Sequence, residues 1–373
     1  MRYLRLLLRP LLPVCLLLMA LPVMAQKKKY SPAVIAYYAG DSVKINNYPV
    51  EKLTHLLFSF AHLQGNDLHL FKKGDTILLH NMVALKQRNP AMKVMISIGG
   101  WGGCATCSPV FSSDTGRKAF ARSVKQTLVD FNADGIDLDW EYPTIKGFPG
   151  HPYSPADKDN FTLLVKELRK TLGKKYEISF AAGGFTEYLR DAVDWKKLTP
   201  YVNRINLMSY DLVSGFSTIS GHHSPLYPNG NYPESVDHAV RWLDSIGVPR
   251  GKIAIGAAFY ARIFTTNDTL NYTINRPAVF TKGTPYKNFD RDLADTAGFV
   301  YRWDDEANAP FRYNYSRRQF ASFDDPASIK LKTQYVIDKR LNGIMFWQLG
   351  EDKESGGLLD VIDATKQAWE KKP

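Results

Sequence analysis

Residues 131–143 read Phe-Asn-Ala-Asp-Gly-Ile-Asp-Leu-Asp-Trp-Glu-Tyr-Pro. As a β-strand, this stretch sends alternate side chains to opposite faces. Gly135, Asp137, Asp139 and Glu141 fall on one face, and Ile136, Leu138 and Trp140 on the other. At the surface of an open sheet the acids would simply face water. Inside a parallel barrel, the apolar face meets the surrounding helices and the acids point inward. Carboxylates crowded there cannot all ionise, so at least one pKa must rise, leaving a protonated acid beside an ionised partner near neutral pH. Such a pair is equipped for general-acid catalysis. Asp-x-Asp spacing also serves calcium, but an EF-hand-like loop needs a central Gly and polar residues between its ligands. Ile, Leu and Trp stand there instead, so neither a metal nor a cofactor is expected.

On both sides of this stretch, short apolar runs alternate with helical patterns. Candidate strands are 33–38, 53–61, 93–99, 135–141, 177–182, 204–210, 253–260 and 343–349. Helical periodicity covers 77–88, 115–131, 156–172, 234–246, 328–340 and 359–371. Eight strands alternating with helices predict a closed (β/α)8 TIM barrel over residues 30–373. A doubly wound open sheet would carry a Gly-rich phosphate loop after its first strand, and Tyr37-Tyr38-Ala39-Gly40-Asp41 is not one. Between the seventh and eighth strands lie about eighty residues, far more than a loop-helix-loop connection needs. Residues 263–323, rich in Tyr, Phe, Thr and Asn, predict a small α+β insertion that walls one side of a cleft.

The chain has 373 residues, 45% hydrophobic and 23% charged, which suits a large globular core. Residues 1–25 read as a secretory signal: Arg2, Arg5 and Arg9 precede an apolar run from Leu11 to Val23 that closes on Val23-Met24-Ala25. An uncleaved anchor is the alternative, but the apolar run is short for a membrane span. Export, to the periplasm or beyond the cell, is the expectation. Without that segment Lys plus Arg falls from 48 to 45 against 37 acids, so net charge falls from +11 to +8. The one basic run, Lys27-Lys28-Lys29, comes with no nucleic-acid motif, and no nucleic-acid partner is expected. Nor is a membrane partner once the signal is cleaved, and a monomer is expected. Cys15 lies in the signal. Cys104 and Cys107 leave three readings, a redox pair, half a zinc site or a local disulfide, of which the disulfide best suits an exported chain. Asn160, Asn267, Asn271 and Asn314 head Asn-x-Ser/Thr sequons, relevant only in a glycosylating host.

Barrel chemistry sits at the carboxyl ends of the strands. Those ends read Ser97-Ile98-Gly99-Gly100-Trp101, Met208-Ser209-Tyr210-Asp211, Phe259-Tyr260-Ala261-Arg262 and Met345-Phe346-Trp347. Each alone reads as packing. Their convergence with the acids describes an aromatic-lined acidic cleft, suited to a sugar polymer whose rings stack on Trp and Tyr. Here the chain resembles family 18 glycoside hydrolases, the chitinases. Asp134-Gly135-Ile136-Asp137-Leu138-Asp139-Trp140-Glu141 matches their Asp-x-x-Asp-x-Asp-x-Glu signature. Ser97-x-Gly99-Gly100, Met208-x-Tyr210-Asp211, Tyr260-x-Arg262, Trp347 and a Gly350-Glu351-Asp352 tail extend the match over the mature chain. Ala261 departs from it, since relatives often have Gly between the Tyr and the Arg.

The resemblance implies a retaining mechanism without an enzyme nucleophile. Glu141 would protonate the glycosidic oxygen while the substrate's own N-acetyl oxygen attacks the anomeric carbon. Asp139 would orient the acetamido N–H and stabilise the developing positive charge. Asp137 would share a proton with Asp139, with Ser97 and Tyr37 as neighbours, and Tyr210 would bond the acetamido oxygen. Met208, Asp211, Tyr260 and Arg262 would line the subsite. Trp347 would floor the distorted sugar, Phe60 and Gly100 would border it, and Trp101 would stack on the aglycone side. Asp134 is read as structural, fixing the turn into the strand. The implied function is a secreted chitinase acting on chitin or its oligosaccharides. An endo-β-N-acetylglucosaminidase is the second reading, and a chitin-binding lectin the weaker third, since Glu141 is present.

Overall fold

Eight parallel strands close on themselves: β1 (Ala33–Tyr38), β2 (His55–Gln64), β3 (Lys93–Gly99), β4 (Gly135–Asp139), β5 (Glu177–Gly183), β6 (Arg204–Met208), β7 (Ile253–Ala258) and β8 (Gly343–Trp347). β1 pairs with both β2 and β8, which leaves the barrel without an edge. A computed structural model of the protein describes residues 30–230, 232–267 and 274–371. The signal segment 1–25, the lysine run 27–29 and the sequon at Asn271 lie outside the described residues. From Ser31 onward the chain is one compact unit, and the eight-stranded barrel is the fold read from the sequence.

Parallel strands are covered on both sides, so they read as near-continuous apolar runs. Val34 to Tyr38 are all buried. Pleat alternation then sorts the side chains. Ile136, Leu138 and Trp140 pack outward against the helical layer, where the Trp140 ring lies 5.6 Å from Phe111 and 6.0 Å from Phe161. Inside the barrel, Ile35, Tyr37, Leu57, Met95, Ala181, Met208, Ala254 and Met345 form a second core. Register places Asp137 between Ser97 and Ser179 on the neighbouring strands, so one inward layer is polar.

The helices match the periodic segments with shifted ends. α1 runs Lys73–Ala84, α2 Asp114–Phe131, α3 Asp157–Leu172, α4 Val236–Ser245, α5 Pro326–Asp338 and α6 Leu358–Glu370. α1 starts earlier than periodicity indicates because Asp75 accepts the Lys72 N–H and caps a first turn that carries no apolar signal. The strand expected at 53–61 runs on to Gln64, paired in a hairpin with Asp67–His69. Between β5 and β6 lie a π turn (Tyr188–Ala192), a short helix (Trp195–Leu198) and a 3-10 turn (Thr199–Tyr201).

After Phe259 the chain leaves the barrel into a five-stranded antiparallel sheet ordered 278–285, 260–266, 319–322, 309–314 and 299–304. The sheet therefore begins at Tyr260, ahead of the boundary read at Ile263, and Tyr260 and Arg262 stand on its first strand, not on β7. Behind this junction lies a buried ion pair. Lys332 Nζ donates to Asp324 Oδ1 at 2.7 Å and Oδ2 at 2.6 Å, and to the Ser224 carbonyl at 2.7 Å. Asp324 also accepts the Ala258 N–H at 3.0 Å. Both side chains are 0% exposed. Lys332→Ala strands a buried carboxylate, and the expected cost is about 3–5 kcal/mol of unfolding free energy. A denaturant midpoint equal to that of the parent chain would contradict this.

Candidate active site

The site is built around Asp137, which is 0% exposed. Its Oδ2 accepts from the Tyr37 hydroxyl at 2.9 Å and the Ser97 hydroxyl at 2.8 Å. Its Oδ1 accepts from the Ser179 hydroxyl at 2.6 Å and Asn206 Nδ2 at 3.1 Å. The donors come from β1, β3, β5 and β6. Burial raises the Asp137 pKa, and these four hydrogen bonds oppose the rise. Both Asp137 oxygens accept from these donors, and its charge is one of the causes that raise the pKa of Asp139. Ser179 and Asn206 were not picked out from the sequence. Both stand on inward positions of their strands, so counting polar residues on those faces would have found them.

Asp139 ends β4, is 4% exposed, and its Oδ1 is buried with no hydrogen-bond partner. Its pKa stands well above the usual carboxylate range, through burial first and then the charges of Glu141 and Asp137. The ladder stops at Asp139, so Glu141 lies just past it, at the barrel mouth. Burial pushes the Glu141 carboxyl up to about 7; the Tyr142 side chain pulls against that and the Asp211 charge adds to it. Glu141 is only half-buried, so water in the open cleft tempers this shift. Asp139 and Glu141 together titrate as a coupled pair. Asp134, at the entry to β4, accepts the Val94 N–H at 2.7 Å and pairs with Lys86 at 2.5 Å.

Around the acids stands an aromatic and charged rim. Trp347 stacks on Phe60 with centroids 5.4 Å apart and planes at 11°, and lies 6.1 Å from Tyr37. Gly100 turns the chain beneath Phe60: its φ is +76°, its N–H donates to the Asp139 carbonyl at 2.8 Å, and an added Cβ would strike the Phe60 ring. Only glycine fits there. The Tyr210 hydroxyl lies 3.9 Å from Met345 Sδ, and Met208 packs beside both in the barrel core. Asp211 holds a left-handed backbone (φ 54°) and binds Arg262 through Nε at 2.7 Å and Nη2 at 2.5 Å. The guanidinium lies 5.0 Å from the Tyr260 ring. Burial would raise the Asp211 pKa, but neighbouring His223 and Arg262 hold it well below the usual carboxylate range. His223 is fully buried, 3.5 Å from Asp211 Oδ1, with no full hydrogen bond at either ring nitrogen.

Trp101 is 46% exposed, its ring 5.5 Å from Phe148 and 5.7 Å from Phe216, which is itself 66% exposed. Phe148 and Phe216 lie in loops, where periodicity gives no signal. Cys104, in the loop after Trp101, is joined by a disulfide to Cys107, the first residue of the helix Cys107–Phe111.

Fold and site together define a class, the parallel barrel whose fourth-strand acids open on an aromatic cleft. The profile of glycosyl hydrolases family 18 matches residues 33–352, and the chain belongs to that family. Similar proteins include chitinase A1 of Niallia circulans, 32% identical over 324 residues (77% of this chain, 46% of that protein). Another is an endochitinase of Manduca sexta, 30% identical over 345 residues (84% and 61%). The chain thus spans only 46% and 61% of the length of these two relatives. Among solved structures, a family 18 N-acetylglucosaminidase from Paenibacillus barengoltzii superposes with TM-score 0.80 at 31% identity, covering 90% of this chain and 99% of that one. Among the described residues no helix is long and apolar enough to cross a membrane.

Proposed function

We propose that the chain is an exported chitinase that cleaves β-1,4-linked N-acetylglucosamine chains with retention, the substrate's acetamido group serving as nucleophile. The observation that carries this is the unpartnered, buried Asp139 oxygen next to a Glu141 carboxyl raised to about 7. A buried acceptor without a donor is costly unless a ligand supplies one. The acetamido N–H of a sugar lying over Trp347 is such a donor. Asp139 then orients the acetamido group so that its oxygen attacks the anomeric carbon. The Glu141 proton passes to the glycosidic oxygen as the C–O bond breaks, giving an oxazolinium ion and a free alcohol. Glu141, now ionised, takes a proton from the water that opens the oxazolinium. Tyr210 bonds the attacking oxygen, and Asp211 with Arg262 walls the subsite. Asp137 acts through its charge on Asp139 and shares its proton as the acid cycles. The names of the relatives support chitin as the substrate, and the basic-then-apolar start of the chain supports export. A lectin role would not need the acid in place.

Reaction through the acetamido group is tested with chain length held fixed. The fully N-acetylated oligosaccharide is expected to be cut, and the fully deacetylated one left intact. Equal rates on the two would end the substrate-assisted reading.

The acid role also sets a pH profile. Glu141 acts only while protonated, so the alkaline limb of kcat/KM, which reports the free enzyme, is expected to fall as pH rises through about 7. A profile still flat two pH units above neutrality would exclude Glu141 as the acid.

A further inference from the structure

His223 follows His222 in the segment that leads from β6 to α4, and its ring is enclosed beside Asp211 and Tyr260 of the subsite wall. It is 0% exposed. Its ring centroid lies 5.2 Å from that of Tyr260, and Nδ1 stands 3.5 Å from Asp211 Oδ1. Neither ring nitrogen completes a hydrogen bond, although both are buried. A buried polar group left unpaired is costly, and an apolar side chain of similar size would fill the space without that cost. Burial lowers the pKa of the ring against the pull of Asp211, so the ring is neutral near neutral pH.

The backbone holds the ring where it is. The Leu212 N–H donates to the His223 carbonyl at 3.0 Å, fixing the residue that follows the left-handed Asp211. The His223 N–H donates to Ser322 Oγ at 2.9 Å, and Ser322 lies in register with Arg262 on the neighbouring strand of the inserted sheet. His222 reaches the same sheet through Nε2, 3.0 Å from Asp304 Oδ2. The next residue, Ser224, donates to Asp324 Oδ2 at 3.0 Å, beside the buried Lys332. One segment is thus bonded to the chain neighbour of Asp211 and to the sheet neighbour of Arg262. It sets the His223 ring against their ion pair. With a carboxylate as its nearest acceptor, the ring carries its proton on Nδ1. Contacts of this kind are commonly long in a free enzyme and tighten around bound substrate. Beyond burial, the Asp211 charge helps to raise the Glu141 carboxyl, so the direction of the Asp211 carboxylate is felt at the acid.

We propose that His223 is a positioning residue for the cleavage step: its ring presents Nδ1–H to Asp211 and fixes that carboxylate in the direction that Glu141 and the reacting sugar require. It touches no substrate and acts through Asp211. This rests on the chitin reading above, and it accounts for a buried imidazole that stability alone would not retain.

Two substitutions separate this role from packing. His223→Leu removes both unpaired nitrogens at similar volume, whereas His223→Asn keeps a donor where Nδ1 stands and leaves a small cavity. On the N-acetylglucosamine hexasaccharide, His223→Leu is expected to lower kcat about 10-fold, the order of loss that a misdirected group brings, with KM within about 3-fold. Its thermal midpoint is expected to equal the parent's or exceed it. His223→Asn is expected to keep kcat within about 3-fold of the parent although the cavity lowers its thermal midpoint. Full activity in His223→Leu would overturn the proposal, and so would losses of activity that follow the thermal midpoint in both variants. In an Asp211→Asn background, His223→Leu should cost no more than about 2-fold, because the partner it acts through is already changed. A second loss of the original size there would show that the ring does not act through Asp211. No cleavage of the hexasaccharide by the parent chain would instead remove the chitin reading, and this proposal with it.

Discussion

Glu141→Gln is expected to lower kcat on a chitin oligosaccharide about 1,000-fold, the contribution of a well-placed general acid, while substrate affinity stays within a few-fold. Gln keeps the shape of Glu and loses only the transferable proton. The leaving sugar must then depart as an alkoxide, which is why the effect falls on kcat. Affinity is carried elsewhere, by the Trp347 face and the walls around it, which the substitution does not touch. Burial is what keeps the Glu141 proton in place near neutrality, so the same environment that makes Glu141 an acid makes its amide an inert copy. Single-turnover cleavage and calorimetric binding, measured on both chains, separate the two quantities. Cleavage by Glu141→Gln at a tenth of the parental rate or more would show that another group delivers the proton. Binding without cleavage by both chains would describe a lectin.

Asp139→Asn should cost about 100- to 1,000-fold in kcat, the loss expected when one preorganised charge aimed at the transition state is removed. Asp139 is nearly enclosed, and its Oδ1 meets no protein donor. Asn can still accept the acetamido N–H, but it cannot carry the negative charge that an oxazolinium ion needs beside it. Ground-state binding should therefore survive better than turnover. The pH dependence supplies a second readout. Asp139 and Glu141 each raise the other's proton affinity, and Asp139 owes part of its high pKa to the Glu141 charge. With Asn at 139 the coupled pair becomes a single acid, and the two-step titration of the site should collapse to one step. A variant that kept both ionisations would mean the coupling runs through some other carboxyl.

Much of this is legible in the sequence. Parallel strands covered on both sides leave an unbroken apolar signature, so β1 and β3 coincide with the runs read at 33–38 and 93–99. The alternation of Asp137 and Asp139 with Ile136 and Leu138 fixed which face held the acids. What stayed hidden is what alternation does not encode. Strand ends were overrun at Glu141 and Tyr210, because a chain leaving the ladder keeps its residue types while losing its partners. Tyr260 and Arg262 read as part of β7 because the inserted sheet continues it after a single residue, Phe259. Phe216 and Glu351 sit in loops and turns whose path depends on distant contacts such as Lys287 to Gly350. The orphaned state of the Asp139 oxygen is a property of the assembled barrel alone.

The four donors that grip Asp137 have a consequence for how such a chain can change over time. Four staves of the barrel meet at one carboxylate on a fifth, like spokes at a hub, so the charge beside the reacting sugar is inherited with the scaffold. Replacing Asp137 would loosen the wheel as well as slow the chemistry, and selection cannot trade one against the other there. The loops above carry no such double duty. They can lengthen, shorten or swap aromatic side chains while the hub holds its potential, leaving substrate preference free to drift above chemistry that stays fixed.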